Sequence, residues 1–185
     1  KSTLPELPNH AFERFRSMYG LDDYFCELLT EEKLLLQYYD QAISIHNNPV
    51  SIANWITTEL FGRLNKEGVD MTRCPISPEN LAGLVKLIDD GVISGKIAKT
   101  VFDQMFSTSA TPESIVESRG LKQISDSGEL RKIVEQILAQ NPEQVQAYRD
   151  GKTKMFGFFV GQVMRATEGK SNPQMVNELL TELLK

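Results

Sequence analysis

Gly157 and Gly161 stand one helical turn apart, with Lys154 and Arg165 beside them and Phe158 and Gln162 closing the same arc of a helical wheel. Glycines at that spacing strip a helix of its side-chain screen and let a ligand approach the backbone, and the cations favour an anionic one. A nucleic-acid backbone is such a ligand. The competing reading is structural: Gly-x-x-x-Gly also lets a second helix pack closely, which leaves Lys154 and Arg165 as solvated rim residues. On the other half of the wheel, Met155, Phe156, Phe159, Val160, Val163, Met164 and Ala166 form a wide apolar stripe that faces a core.

Reaction chemistry is not legible elsewhere. His10 and His46 are far apart and in no metal-ligand pattern, which suits structural or solvated roles. Glu31-Glu32 and Asp89-Asp90 are adjacent pairs, and neighbours on a helix point in different directions, so a shared acid–base site is not expected. No phosphate-loop, dinucleotide or nucleophile-elbow motif occurs. Gly91-Val92-Ile93-Ser94-Gly95-Lys96 places glycine, serine and lysine at a helix start, which admits an anion but reads more simply as a C-cap followed by an N-cap. Trp55 shares a helix with a strong apolar stripe and reads as packing between helices. Cys26 and Cys74, the only cysteines, lie in no Cys-x-x-Cys and suit reduced structural thiols of a cytosolic protein. We expect no catalytic and no metal-ligating residues here, and a binding or positioning role.

The elements that would hold the glycine arc in place are helices throughout. Gly151 and Gly169 bracket a helix of about fifteen residues. Asn48-Pro49, Ser77-Pro78, Thr111-Pro112, Asn141-Pro142 and Asn172-Pro173 each set a capping side chain before a proline, and Gly20, Gly68, Gly91 and Gly120 supply stops. Thr30 is expected to cap a further helix, with Glu31 and Glu32 in its first turn. Ile52, Ile56, Leu60 and Leu64 recur every four residues on one helix. No period-2 run calls for a strand.

The expected fold class is therefore all-α, with a helical domain over residues 9–120 and a small four-helix tail over 121–185. The stretch Leu121–Gly128, poor in apolar periodicity, marks the boundary. The last helix, with Met175, Val176, Leu179, Leu180, Leu183 and Leu184, should cover the Met155/Phe159/Val163 face. A bundle this small is expected to lean on the domain before it. Residues 1–8, with Leu4-Pro5-Glu6-Leu7-Pro8, read as a stiff linker from a missing N-terminal part, because the chain opens on Lys1.

Charge narrows the place of any anion contact. The net charge is -5, which gives no global nucleic-acid signal. Residues 1–120 carry 11 Lys/Arg against 17 Asp/Glu, whereas 121–185 carry 9 against 8. Arg149, Lys152, Lys154, Arg165 and Lys170 cluster against only Asp150 and Glu168, so contact would be confined to a patch. No apolar run is long enough for a membrane helix and no signal-peptide pattern opens the chain, so we expect an unexported, cytoplasmic protein with no membrane partner.

The run Tyr148, Gly151-Lys152, Gly157-Phe158, Gly161-Gln162-Val163-Met164, Thr167, Gly169-Lys170, Asn172-Pro173 and Val176-Asn177-Glu178-Leu179-Leu180 closely resembles the C-terminal signature of the GatB family, the B subunits of the aspartyl/glutamyl-tRNA(Asn/Gln) amidotransferase. Its last segment is also similar to the small YqeY-like proteins. Leu4-Pro5-Glu6-Leu7-Pro8 resembles the hinge behind the catalytic cradle of that family, and Ile93-Ser94-Gly95-Lys96-Ile97-Ala98-Lys99 a motif of its helical domain, so the resemblance spans essentially the whole chain.

The resemblance implies a helical domain joined to a YqeY-like tail, in an enzyme converting Glu-tRNA(Gln) and Asp-tRNA(Asn) to Gln-tRNA(Gln) and Asn-tRNA(Asn). It implies ATP and Mg²⁺ in the missing cradle and no cofactor in this stretch. The A and C subunits of the amidotransferase are the implied protein partners, the former supplying ammonia from glutamine, and tRNA(Gln) or tRNA(Asn) is the implied RNA. The tail would grip the outer corner of the tRNA. On that expectation Lys154, Gln162 and Arg165 beside Gly157 and Gly161 meet phosphates and 2′-hydroxyls, and Phe158 stacks on an exposed base. Lys152 and Lys170 extend the grip at the two ends, whereas Glu168 falls where a cation would serve better. The alternative, from another class, is a helical interaction module docking other subunits or a synthetase without direct RNA contact.

Overall fold

A capping side chain followed by proline sets four of the helix starts among the described residues. The computed structural model describes residues 6–124 and 127–185, so residues 1–5 of the expected linker and residues 125 and 126 of the expected boundary lie outside the described residues. Asn48 Oδ1 accepts from the Ser51 N–H at 3.2 Å and Asn172 Oδ1 from the Gln174 N–H at 2.9 Å. The Ser77 and Thr111 hydroxyls accept from the Asn80 and Ser114 N–H groups in the same way. Asn141 departs from the pattern: its amide donates backwards to the Ile137 carbonyl at 2.8 Å. Among the described residues the result is twelve α-helices with no strand and one isolated bridge, Ile124 with Ser171. The all-α expectation is borne out.

Contacts gather the chain into two compact units, one of residues up to Leu87 with Val101–Ile115, the other of Ile88–Thr100 with Val116–Lys185. This grouping differs from a division at residue 121 by placing Ile88–Thr100 and Val116–Gly120 with the tail.

The first unit contains α1 (Pro8–Tyr19), α2 (Asp23–Glu31), α3 (Lys33–Ile45), α4 (Pro49–Asn54) and α5 (Phe61–Glu67), with the greater part of α6 (Pro78–Asp89), of α7 (Gly95–Thr108) and of α8 (Pro112–Ser118). Its core is built on Phe15, Leu29, Tyr39, Ile52, Ile56 and Leu60, all fully buried. A π-helical segment, Trp55–Leu60, joins α4 to α5. Four residues overshoot an α-helical turn by about 40°, so a strict four-residue repeat drifts off the core unless the helix is widened, which the π-turn does. Thr30 is not the cap expected of it. It lies inside α2, buried, with its hydroxyl returned to the Cys26 carbonyl at 2.7 Å, and Glu32 takes the position before α3 without a side-chain cap bond. Arg14 ties α1 to α3 by donating to both carboxylate oxygens of Asp40 at 2.9 Å, and it also holds Glu6.

The second unit buries a core of its own. Leu130, Val134 and Ile137 from α9 (Ser127–Gln140), Phe159 and Val163 from α11 (Lys154–Ala166), and Val176, Leu180 and Leu184 on and just beyond α12 (Pro173–Leu183) form one cluster. Val145 and Tyr148 of α10 (Pro142–Arg149) pack against it. As the apolar strip of the last helix requires, α12 covers the Phe159/Val163 side of α11. Three loops are also tied together in this unit: Gln123 N–H donates to the Val92 carbonyl and Ile124 N–H to the Lys170 carbonyl, each at 2.7 Å. The Ser94 hydroxyl donates to the Gly169 carbonyl at 3.3 Å.

Candidate nucleic-acid interface

The glycine arc belongs to α11, whose ends are fixed by two left-handed glycines. Gly151 (φ +95°) turns the chain out of α10, and Gly169 (φ +76°) turns it out of α11 while its N–H bonds the Met164 carbonyl at 2.7 Å. Inside that C-terminal turn the Thr167 hydroxyl lies 2.9 Å from both the Val163 carbonyl and the Ser171 hydroxyl, with Thr167 and Ser171 buried. The end of the helix is therefore locked by polar groups that satisfy one another.

With the inner face pinned by Phe159 and Val163, the opposite face is forced outward. Gly157 and Gly161 are exposed, and a Cβ built on either meets nothing within 4 Å. Within this unit, among the described residues, the close-packing role of Gly-x-x-x-Gly is therefore not used. Lys152, Lys154 and Arg165 are exposed around it without an ion pair among the described residues, and Gln162 is half-buried. The face thus offers helix backbone at the surface, with fixed positive charge on both sides.

Two residues sit differently from the wheel, and a cation beyond the helix end is partly neutralised. Phe158, drawn on the outward arc, is half-buried and packs edge-on against Phe159, ring centroids 5.4 Å apart, which ties the ring to the core. Ala166, drawn on the inward stripe, is exposed, because the helix ends there and the chain turns away. Lys170 has its ammonium 3.1 Å from the Glu168 carboxylate, so the acid that broke the pattern cancels part of the end cation's charge. Glu168 itself is held at φ +54°, a left-handed conformation uncommon outside glycine.

One neighbour was not assigned to the face from the sequence. Lys96, exposed at the start of α7, runs its chain within 3.8 Å of where a Cβ on Gly169 would stand. Only the fold brings it near Gly169. The Gly91–Lys96 stretch is otherwise the pair of caps it looks like: Gly91 is left-handed at φ +68° and the Ser94 hydroxyl accepts from the Ile97 N–H at 3.3 Å. No group of three His, Cys, Asp or Glu side chains able to hold a metal is present among the described residues.

Comparison with known proteins bears on the same segment. A family model described as "GatB domain" matches residues 37–184. The aspartyl/glutamyl-tRNA(Asn/Gln) amidotransferase B subunit of Persephonella marina is 50% identical over 100% of this chain and 39% of its own length. The corresponding B subunits of Rickettsia rickettsii and Carboxydothermus hydrogenoformans are each 47% identical over 100% of this chain and 38% of theirs. The chain spans about two fifths of the length of these curated relatives.

Proposed function

Because the chain belongs to the GatB family, we propose that it is the part of a tRNA amidotransferase B subunit that holds the tRNA, with the outward face of α11 against the RNA. The assembled enzyme would amidate Glu-tRNA(Gln) and Asp-tRNA(Asn) in the cytoplasm, together with its A and C subunits. ATP and Mg²⁺ would act outside these residues, in the catalytic cradle of the subunit. The division into a helical domain and a YqeY-like tail belongs to the same reading.

The observation that carries it is the open strip of backbone at Gly157 and Gly161 between Lys154 and Arg165, where an added Cβ meets nothing within 4 Å. Folded RNA is gripped through phosphates and 2′-hydroxyls, which suits short cationic and amide contacts on such a strip. Lys152 and Gln162 fall on the same surface, and Lys170 serves only after sharing its charge with Glu168.

The test is affinity for tRNA as a function of salt. With about four phosphates engaged, log affinity should fall against log salt with a slope on the order of -3. A flat slope, or equal affinity for an unrelated RNA duplex, would refer the surface to protein docking instead.

A further inference from the structure

The first unit carries a second, chemically opposite surface. Helix α2 turns Cys26, Leu29 and Thr30 inward, and presents Tyr24, Glu27, Leu28 and Glu31 outward at three- and four-residue spacing. Two cavities open along that outer side, one of about 460 Å³ reaching α5 and one of about 480 Å³ reaching α1, and Leu28 with Glu31 lines both. Leu35, Phe61, Leu64 and Met71 make the floor of the first cavity apolar, and Tyr24, 64% exposed, stands over the second. Every exposed large apolar side chain among the described residues lies in this unit.

The rim is acidic. Glu27, Glu31 and Glu32 are exposed and have no ion pair among the described residues, and the one cation on the rim, Arg73, lies 3.7 Å from the Asp70 carboxylate. Phosphate would be repelled from such a rim, and a purely apolar partner would bury carboxylates without compensation. A segment with apolar side chains one turn apart, flanked by Lys or Arg, satisfies floor and rim together. We propose that the uncovered side of α2 is a docking groove for a basic, apolar-anchored segment of a partner protein. This assignment stands independently of the RNA reading.

The experiment titrates the full chain with a helical peptide about four turns long, bearing Leu at i, i+4 and i+7 and Lys on both flanks. Affinity is measured together with the methyl NMR signals of Leu28, Leu64 and Met71. Binding should move those methyls, and replacing the peptide's Lys by Glu should abolish it. The chain carrying Glu27→Lys, Glu31→Lys and Glu32→Lys, all at exposed positions, should bind roughly tenfold more weakly or worse with helicity unchanged. Leu28→Ser should weaken binding without altering the salt dependence. The proposal is overturned by equal affinity for the reversed chain, by shifts spread away from α2, by tRNA moving the same methyls, or by self-association of the chain through this side.

Discussion

Charge on α11 and charge on α1 do different work, and substitution separates them. Lys154 and Arg165 touch no acid among the described residues and are exposed, so reversing both to Glu should leave helicity and melting within about 0.5 kcal/mol of the parent. The same double variant should weaken tRNA binding and make the salt slope shallower by about two. Unchanged affinity would remove both residues from the interface. Arg14 is the contrary case, a cation committed to the fold. Its hydrogen bond holds the Glu6 carboxyl below its ordinary value of 4.5. A carboxyl whose pKa is lowered on folding stabilises above that ordinary value, and the stabilisation is lost as pH falls through the folded pKa. Arg14→Met should therefore cost about 1 kcal/mol at pH 7. The gap should narrow on acidification, as followed by denaturant titration from pH 7 to pH 3. A gap constant with pH would assign the loss to the contact of the Arg14 guanidinium with the faces of the Phe15 and Tyr19 rings.

At the scale of single elements, the notch on α11 can be tested because its inner and outer faces are now distinguished. A helix packed on Gly157 and Gly161 would make Gly161→Leu destabilising, but a Cβ at Gly161 meets nothing within 4 Å. Leucine also favours the helix over glycine by roughly 0.8 kcal/mol. The variant is therefore expected to melt at or above the parent temperature while binding tRNA more weakly. Lower melting together with parent-like RNA affinity would mean that the notch receives protein. Most of α11 was legible in advance, since Gly151 and Gly169 mark its ends and Phe159 and Val163 its buried side. Phe158 was not, because a wheel gives a direction and the half-burial of an aromatic ring depends on which neighbour it finds. The π-turn at Trp55–Leu60 was present in the four-residue repeat as a mismatch with 3.6 residues per turn, although the repeat by itself reads as an ordinary amphipathic helix. Thr30 failed as a cap for a related reason. A threonine can return its hydroxyl to the carbonyl four residues earlier, as it does to Cys26, and nothing local distinguishes that from capping the next helix.

For the molecule as a whole, the least legible feature is which residues belong together. Ser94 and Gly169 are 75 positions apart, and no periodicity announces that their loops meet. Apolar patterning fades after Gly120, yet hydrogen bonding runs across that point: Gln123 N–H reaches the Val92 carbonyl and the Ser94 hydroxyl reaches the Gly169 carbonyl. Residues 88–100 thus brace the loop that closes α11, and with it the position of Lys170. A fragment of residues 121–185 lacks the Val92 carbonyl and the Ser94 hydroxyl, two hydrogen bonds worth on the order of 1 kcal/mol each. In a bundle with so small a core that loss is a large share of the total. In the full chain the Gln123 amide should be protected from hydrogen exchange although it lies in no helix. In the fragment it should exchange at the open-chain rate, the Gly169 amide at the end of α11 should lose protection with it, and tRNA affinity should fall below that of the full chain. Equal protection of Gly169 and equal affinity in the two would show that the tail closes α11 unaided and that residues 88–100 are dispensable to the face it presents.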